Sequence, residues 1–432
     1  MKLIIIAGGR GKRLGLKDIP KPMAAIGGKP VLEHQINLAK KYGIKDIYIL
    51  SGHLANVIKD YFGDGSAFGV NITHIVEETP LGTAGSVKQL ANRVKKKFMV
   101  FCGDIILDID LKSFINFDSK ADSIATVIAH PNDHPYDSDL LEINENNIVT
   151  AFHSKPHNEN TYYRNLANAS VYILDPEIFK YIPYDRPSDF GKDIFPSVIR
   201  SNKTIRAYKT AEYIKDMGTA DRFKKVSRDF LSGKVRRLSK EYKRPAIFMD
   251  RDGTLVKDVD LLSKAEDLKL YPFAAPAIKK INDSDFLSIL ITNQPVVARN
   301  LCDLSAIGMI HNKLETLLGR EHAYLDDIYF CPHHPDKGYP EENPDLKINC
   351  ECRKPKTGMI NRAIAEYNID IGSSWFIGDT TVDLQTGINA GMKTVLVRTG
   401  KGGKDRKFEV SPDFVFDNIG DAVDFILSKD NL

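Results

Sequence analysis

The chain has 432 residues, of which 42% are hydrophobic and 27% are charged. Lys and Arg total 60 against 57 for Asp and Glu, so the net charge is only +3, which argues against a nucleic-acid or membrane-surface protein. The length predicts two or three domains. The N-terminus lacks the long apolar segment of a signal peptide, and no apolar run is long enough to span a membrane, so we expect a cytoplasmic protein.

Short apolar strands alternate with helical patterns in the first hundred residues. Strands are predicted at 3–7, 46–51, 72–77 and 97–102, and helices at 30–41, 53–62 and 83–94. This alternation is typical of a parallel α/β sheet. The pattern loosens between 105 and 215, where we expect insertions and antiparallel strands.

A basic segment, 233–244, is poor in apolar residues and is interpreted as a linker or a solvated helix. A second α/β series follows, with strands predicted at 245–249, 286–292, 326–330, 374–378 and 393–398. Helices are predicted at 273–282, 304–318, 357–367, 382–389 and 420–428. The expected organisation is therefore a domain at 1–232, a linker at 233–244 and a second domain at 245–432.

A glycine-rich turn follows the first predicted strand. Gly8, Gly9 and Gly11 would let the backbone approach a phosphate closely, and Arg13 adds positive charge. The spacing matches neither a P-loop nor a dinucleotide fingerprint. Taken alone, such a turn is a weak functional signal.

Further polar residues follow this turn at places where ligands bind. Lys21 lies between two prolines, which present it from a stiff segment. Asp104 comes just after the strand predicted at 97–102, and carboxyl ends of strands are where open α/β sheets bind ligands. Asp216 lies in a second acidic motif, KDMGT.

Five motifs in one order carry a family resemblance: AGGRGKRL, PKPM, ETPLGTAG, CGD and KDMGTADRF. Together they resemble the sugar-1-phosphate nucleotidyltransferase family over most of residues 1–225. The resemblance implies a Rossmann-like α/β fold. It also implies an enzyme that joins a nucleoside triphosphate to a sugar 1-phosphate and releases pyrophosphate.

The resemblance implies roles for the matching residues. Arg13 and Lys21 would contact the triphosphate, and Asp104 and Asp216 would hold Mg²⁺, which prefers carboxylate oxygens. The implied substrate contacts are Gly8, Gly9 and Gly11 at phosphate, Gly82 at the nucleoside, Lys155 and Lys192 at the sugar phosphate, and Asn168 at the sugar. Ser154 and Ser170 depart from the family's usual Glu and Gly at these sugar contacts.

The second series begins with a buried-strand pattern that ends in Asp250-Arg251-Asp252-Gly253-Thr254. Two carboxylates two residues apart at a strand end suit phosphoryl chemistry. One can act as a nucleophile, and the other can protonate a leaving group and then activate water.

Further motifs extend this pattern: ITNQ, RKP and FIGD, with Asp383 one helical turn beyond the last. The set resembles the haloacid dehalogenase phosphatases across residues 245–432. It implies Asp250 as nucleophile and Asp252 as general acid and base. Thr292, Asn293, Arg353 and Lys354 would contact the phosphorylated substrate. Asp379 would bind Mg²⁺ with Asp250 and the Asp252 carbonyl, while Asp383 orients that shell.

Three of the five cysteines cluster with a histidine. Cys331, His333, Cys350 and Cys352 offer three thiolates and an imidazole, a closed tetrahedral set for structural Zn²⁺. Free buried cysteines are the alternative. His334 is interpreted as a bystander. The expected fold is thus an N-terminal Rossmann-like nucleotidyltransferase domain and a C-terminal Rossmannoid dehalogenase-type domain with a zinc loop.

Finer resemblances point to a sugar. The zinc loop and the CRKPKTGM segment resemble the heptose-bisphosphate and histidinol phosphatase branch, and GDIILDIDL resembles the heptose 1-phosphate guanylyltransferases. This implies a heptose bisphosphate, GTP and a GDP-heptose product. Two alternatives stay open: another sugar or base with the same chemistries, or one domain that is a noncatalytic module. Only small-molecule partners are expected, neither nucleic acid nor membrane, and a homo-oligomer stays open.

Overall fold

The computed structural model describes residues 1–9, 18–184, 186–336 and 342–429. The chain divides into two compact units. The first contains 1–130, 138–155 and 166–239, and the second contains 131–137, 156–165 and 240–432. None of the described helices is long and apolar enough to cross a membrane.

The first unit is built on a nine-stranded mixed sheet with two small two-stranded sheets. Its strands are β1 (Lys2–Ile6), β2 (Ala25–Ile26), β3 (Lys29–Pro30), β4 (Asp46–Ser51), β5 (Asn71–Val76), β6 (Phe98–Cys102), β7 (Ile105–Asp108), β8 (Ala125–His130), β9 (Leu140–Ile143), β10 (Val149–His153), β11 (Ala167–Leu174), β12 (Ile205–Lys209) and β13 (Tyr213–Asp216).

The large sheet follows the order β10-β9-β11-β6-β1-β4-β5, and β8 joins it to β12. Strands β6, β1, β4 and β5 run parallel, whereas β11 pairs antiparallel to β6 and β8. The parallel part and the later antiparallel strands match the predicted change of pattern near residue 105.

Helices of the first unit are α1 (Val31–Lys41), α2 (Ala55–Phe62), α3 (Gly82–Lys88), α4 (Leu111–Ser119), α5 (Phe195–Arg200), α6 (Ala220–Leu231) and α7 (Lys234–Arg237). The apolar run of β1 explains its central place. Leu3 and Ile5 pack into one hydrophobic cluster and Ile4 into another, because side chains alternate along a strand. Both faces of the sheet are therefore covered.

The second unit contains a six-stranded, fully parallel sheet in the order β16-β15-β14-β17-β18-β19. Its strands are β14 (Ala246–Met249), β15 (Leu287–Asn293), β16 (Asp327–Cys331), β17 (Trp375–Gly378), β18 (Lys393–Val397) and β19 (Phe414–Phe416). Its helices are α8 (Ala274–Asp283), α9 (Leu304–Arg320), α10 (Gly358–Tyr367), α11 (Thr381–Ala390) and α12 (Ile419–Lys429). The central strand, β14, is wholly buried.

Two short segments from the first half of the sequence belong to the second unit. In the segment 156–165, Arg164 Nη2 lies 3.1 Å from Asp327 Oδ1, and the backbone N–H of Tyr163 donates to Thr316 Oγ1 at 3.0 Å. Burial alone would lower the pKa of Arg164, but Asp327 and Glu315 outweigh it and raise that pKa. The guanidinium thus stays charged in this unit.

The structure differs from the sequence prediction in several places, of which three show why. Within 233–244, residues Lys234–Arg237 form α7, and Val235 is buried in an apolar cluster rather than solvated. The helix predicted at 83–94 ends at Lys88. Strand β19 was not predicted, because its three residues give too short an apolar pattern.

Candidate active sites

A cavity of about 290 Å³ opens where β1 and β6 end in the first unit. Its lining includes five of the predicted residues: Gly8, Gly9, Lys21, Gly82 and Asp104. Strands β1 and β6 are parallel neighbours, so the segments that follow them meet at one edge of the sheet. Gly11 and Arg13 lie outside the described residues.

The two acids predicted to bind magnesium lie on neighbouring segments. The backbone N–H of Met217 donates to the Asp104 carbonyl at 3.1 Å, and β13 pairs with β7 so that Asp216 faces Ile105. Their carboxylates have separate cationic partners: Asp104 pairs with Lys21, and Asp216 lies 3.0 Å from Arg222 Nη1. These hard oxygen donors fit Mg²⁺, which would compete with both cations.

Gly82 allows the close packing of the PLGTAG turn. Its φ is +72°, and a Cβ atom there would lie 2.5 Å from the carbonyl oxygen of Ser188. A side chain would therefore strain the backbone and displace Ser188. The turn starts α3, and Thr83 Oγ1 donates to Asp189 Oδ2 at 2.7 Å.

Asp139, which sequence reasoning missed, accepts hydrogen bonds from two of the three residues predicted to contact the sugar or its phosphate, and it lies close to the residue before the third. Asp139 Oδ1 accepts from the backbone N–H of Lys155 at 3.2 Å, and its carbonyl accepts from the N–H of Asn168 at 2.9 Å. A Cβ on Gly191, beside Lys192, would lie 2.8 Å from Asp139 Oδ2. The side chains of Lys155 and Lys192 are exposed.

Glu77 is a second residue that sequence reasoning missed. Its Oε2 faces Gly8, where an added Cβ would be 2.8 Å away, and it lines the same cavity. Burial raises the pKa of Glu77. No motif marks this residue except its place just before PLGTAG.

In the second unit, three carboxylates converge where β14 and β17 end. Asp250 follows β14, Asp379 follows β17, and Asp383 lies in the first turn of α11. One oxygen of each lies within 4.8 Å of the others. Lys354 Nζ lies 2.9 Å from Asp250 Oδ1 and 2.5 Å from Asp383 Oδ1. The structure thus brings together residues from three segments that are distant in sequence.

Electrostatics in this cluster favours an added cation. Burial, with Asp383 and Asp252 nearby, raises the pKa of Asp250 to about 6, although Lys354 opposes this. Burial and the other two cluster acids raise the pKa of Asp379 to about 8. Asp379 Oδ1 is buried without a hydrogen-bond partner among the described residues. An orphaned oxygen beside two acids fits a divalent metal ion such as Mg²⁺.

Asp383 is held rigidly by its own helix. Thr380 caps α11, and its Oγ1 donates to Asp383 Oδ2 at 2.6 Å in a capping box. Thr380 therefore has a structural role at the start of α11. Gly253, with φ of +77°, lets the turn after β14 pass against Asp379, since a Cβ there would be 2.3 Å from Asp379 Oδ2.

The remaining predicted phosphatase residues take different positions. Asn293 and Lys354 exchange two hydrogen bonds between side-chain amide and backbone, at 3.0 and 3.2 Å. Arg353 Nη1 donates to the His333 carbonyl at 3.0 Å, which ties it to the cysteine loop. The Asp252 carboxylate points to Arg251 and Gln294, outside the three-acid cluster.

Cys331, His333, Cys350 and Cys352 gather into one cluster at the end of β16. The sulfur–sulfur distances are 3.1, 3.3 and 3.5 Å, and His333 Nδ1 lies 3.2 Å from Cys352 Sγ. These separations exclude disulfides but suit four donors around one ion. His334 stands apart and accepts from the backbone N–H of Asp336. The donor set fits Zn²⁺.

Comparison with known proteins matches both units to families. The nucleotidyl transferase family model matches residues 2–233, and the HAD-hydrolase-like model matches 351–422. A D-glycero-β-D-manno-heptose-1,7-bisphosphate 7-phosphatase of Haemophilus ducreyi is 36% identical over 183 residues, covering 42% of this chain and 97% of that protein.

Two relatives match the first unit over part of their length. A UTP–glucose-1-phosphate uridylyltransferase of Synechocystis is 30% identical and covers 55% of this chain and 65% of that enzyme. A mannose-1-phosphate guanylyltransferase of Mycobacterium tuberculosis is 29% identical and covers 53% of this chain and 64% of that enzyme.

The fold and the two sites define a two-enzyme class of chain, with a nucleotidyl-transferring unit and a phosphate-ester-hydrolysing unit. The chain belongs to the nucleotidyl transferase family through its first unit and to the HAD-like phosphatases through its second.

Proposed function

We propose that this chain is a bifunctional enzyme of GDP-heptose synthesis. The second unit would remove the 7-phosphate of D-glycero-D-manno-heptose 1,7-bisphosphate. The first unit would then transfer GMP from GTP to the remaining 1-phosphate and release pyrophosphate. The observation that carries the proposal is the fusion itself: a unit similar to a heptose-bisphosphate phosphatase shares one chain with a sugar-phosphate nucleotidyltransferase unit.

The geometry of the second unit supports the proposed phosphatase step. Asp250 would attack phosphorus, and the bond between phosphorus and the sugar oxygen would break. Asp252 would donate the proton to that oxygen and then take one from the water that hydrolyses the aspartyl-phosphate. Lys354 neutralises charge beside Asp250. Mg²⁺ held by Asp250, Asp379 and the Asp252 carbonyl would supply further charge neutralisation.

The transfer step needs two polyanions to meet in the first unit. An oxygen of the sugar phosphate would attack the α-phosphorus, and pyrophosphate would leave. Lys21, which lines the cavity, would contact the triphosphate, and Lys155, Lys192 and Asn168 near Asp139 would hold the sugar phosphate. Mg²⁺ on Asp104 and Asp216 would offset the charge of the phosphates. Positioning and charge neutralisation would provide most of the catalysis.

The test uses the purified full chain with heptose 1,7-bisphosphate, GTP and Mg²⁺. We expect orthophosphate first, and then GDP-heptose with pyrophosphate. Orthophosphate without nucleotide sugar would contradict the transferase half, and nucleotide sugar only from added heptose 1-phosphate would contradict the phosphatase half.

The base needs its own measurement, because one relative of the first unit is named for UTP and another for guanylyl transfer. Each of the four nucleoside triphosphates should be offered with heptose 1-phosphate. We expect the highest kcat/KM with GTP. A preference for UTP would leave the proposed phosphatase and nucleotidyl-transfer reactions unchanged, but the product would be a UDP-heptose.

A further inference from the structure

Arg251 lies between the two predicted catalytic acids but points away from the cluster that Asp250 joins. Its side chain is fully buried, at 0% exposure. Its Nε donates to Asp252 Oδ1 at 3.1 Å and its Nη2 donates to Asp252 Oδ2 at 2.8 Å. This is a bidentate pairing of guanidinium and carboxylate, which fixes both distance and plane.

Gln294 completes the hold on the same carboxylate. Its Nε2 donates to Asp252 Oδ2 at 3.0 Å and to Thr292 Oγ1 at 2.9 Å, while its Oε1 accepts from Arg251 Nη2 at 2.8 Å. The amide orientation follows from this network, since the guanidinium can only donate. Asp252 is thus bound to two planar groups that are also bound to each other.

His311 on α9 holds the other side of the guanidinium. Its Nε2 lies 3.2 Å from Arg251 Nη1. Because arginine cannot accept, Nε2 must be the unprotonated acceptor of a neutral ring. Burial, with Arg251 and Arg164 nearby, holds the pKa of His311 well below its usual value. A neutral histidine can support a buried arginine without repelling it.

We propose that Arg251, supported by Gln294 and His311, is a positioning residue that fixes the carboxylate of Asp252 for proton transfer to the leaving oxygen. This role of Arg251 depends on the proposed phosphatase function of the second unit, but it does not depend on which sugar phosphate is the substrate. Asp252 is 26% exposed and would otherwise sample several rotamers. A general acid must be held within hydrogen-bond reach of the oxygen that it protonates, so a loose Asp252 would lose that step.

A change of leaving group separates this role from a general structural one. An alkyl phosphate ester, such as a sugar phosphate, needs a proton on its departing oxygen. The p-nitrophenolate of p-nitrophenyl phosphate is a stable anion and leaves without one. The ratio kcat/KM reports only the steps up to formation of the Asp250 phosphoryl bond, and so excludes the later use of Asp252 as a base.

The experiment compares full-length wild type, Arg251→Met and Asp252→Asn on heptose 1,7-bisphosphate and p-nitrophenyl phosphate, each with Mg²⁺. We expect Arg251→Met to lower kcat/KM about 100-fold on the sugar ester and less than about 5-fold on the nitrophenyl ester. Asp252→Asn should show the same selective loss. The double variant should lose little more than either single one, because both changes remove one function.

Equal losses on both esters would overturn the proposal, as would full additivity in the double variant. If Arg251→Met does not fold, Gln294→Met provides the test. We expect it to lower kcat/KM about 10-fold on the sugar ester and to change kcat/KM little on the nitrophenyl ester. Equal losses of kcat/KM on both esters in this variant would also overturn the proposal. Arg244→Met is the matched control, since Arg244 is a buried arginine at 7% exposure in the same unit that donates to the Asp285 carbonyl. It should keep the wild-type ratio between the esters.

The proposed heptose substrate and the proposed role of Arg251 can be contradicted separately. Wild type that hydrolyses p-nitrophenyl phosphate and another sugar phosphate, but not the heptose ester, would contradict the proposed substrate. The leaving-group comparison would then use that other ester. Wild type that hydrolyses no ester would overturn the phosphatase function and the inference together.

Discussion

The two candidate sites use the same position in an α/β sheet but differ in how much of each is fixed by direct contacts. In the second unit, Lys354 joins Asp250 to Asp383, and Thr380 holds Asp383 from its own helix. In the first unit, Lys21 and Asp104 form one pair and Asp216 forms another with Arg222. Among the described residues, two acids of the hydrolytic site therefore share one cation, whereas Asp104 and Asp216 of the transfer site pair with different cations.

This difference is consistent with the substrates of the two proposed reactions. A phosphatase of this type needs only one phosphoryl group to be placed against a fixed nucleophile. A nucleotidyltransferase must admit two polyanions and release two products, so pairs of opposite charge that substrates or Mg²⁺ can separate are suitable. Four substitutions would break or sharpen the comparison.

The largest effect is expected from Asp250→Asn. An amide is a poor nucleophile, so orthophosphate release should fall roughly 10³-fold or more. The rate of the proposed nucleotidyl transfer, measured from added sugar 1-phosphate, should stay near that of wild type. Asp424→Asn is the control, since Asp424 is an exposed acid paired with Lys280 in the same unit. Loss of both activities in Asp250→Asn would mean that the two sites are not independent.

Lys21→Met should lower the kcat/KM of nucleotidyl transfer by about 10²-fold, because the partly buried charge that pairs with Asp104, and that is proposed to contact the triphosphate, would be lost. Phosphate release should not change. Lys29, an exposed lysine that pairs with Glu33, provides the control Lys29→Met. A wild-type rate of nucleotidyl transfer in Lys21→Met would contradict the proposed role of Lys21 in the active site.

Cys352→Ser tests the cysteine cluster. The wild-type chain should contain about one zinc ion by elemental analysis. The variant should lose that ion and roughly 2–3 kcal/mol in the free energy of unfolding of the second unit. Cys302→Ser changes a cysteine outside the cluster and should keep the metal. Fresh wild-type protein without zinc would contradict the site.

The smallest effect is expected from Asp379→Asn, as a change in how the free energy of unfolding depends on pH when no metal is present. Since the folded pKa of Asp379 is raised to about 8, the folded chain holds this proton more tightly than the unfolded chain. The stability from that proton is present near pH 4 and is lost as pH rises to 8. The free energy of unfolding of the variant should therefore increase relative to that of wild type as the pH rises from 4 to 8.

Chemical denaturation in EDTA at several pH values measures this difference, with Asp417→Asn as an exposed control. Mg²⁺ should raise the unfolding midpoint of wild type more than that of Asp379→Asn. If Mg²⁺ raises the unfolding midpoint equally in both proteins, or if the stability difference between them does not vary with pH, then the neighbours of Asp379 do not raise its pKa.

The sequence could predict the parts of each site that are local in the chain. Buried strands followed by acids identified Asp250 and Asp379, and the spacing of cysteines identified the cluster at the end of β16. Local patterns could not identify Asp139, nor show that Gln294 of the ITNQ motif contacts Arg251 and Asp252. Their partners are far apart in sequence, as with Arg251, which lies 43 residues from Gln294 and 60 from His311.

The basic segment 233–244 illustrates a second limit of prediction from sequence, which concerns burial. Its charges predict solvent exposure, but Val235 packs among apolar residues and Lys234 is buried with it. Two apolar residues, Val235 and Leu238, in a charged run give too little periodicity for prediction, and tertiary packing decides their state.

The assignment of residues 156–165 to the second unit has a practical consequence for dividing the chain. A fragment that begins at Lys240 would contain Asp327 without Arg164, and Thr316 without the backbone of Tyr163. Asp327 is buried, at 4% exposure, so its carboxylate would lose a compensating charge. Activity lost on cutting at a single point would therefore reflect a damaged phosphatase unit, and the two reactions are better separated by point substitutions in the intact polypeptide.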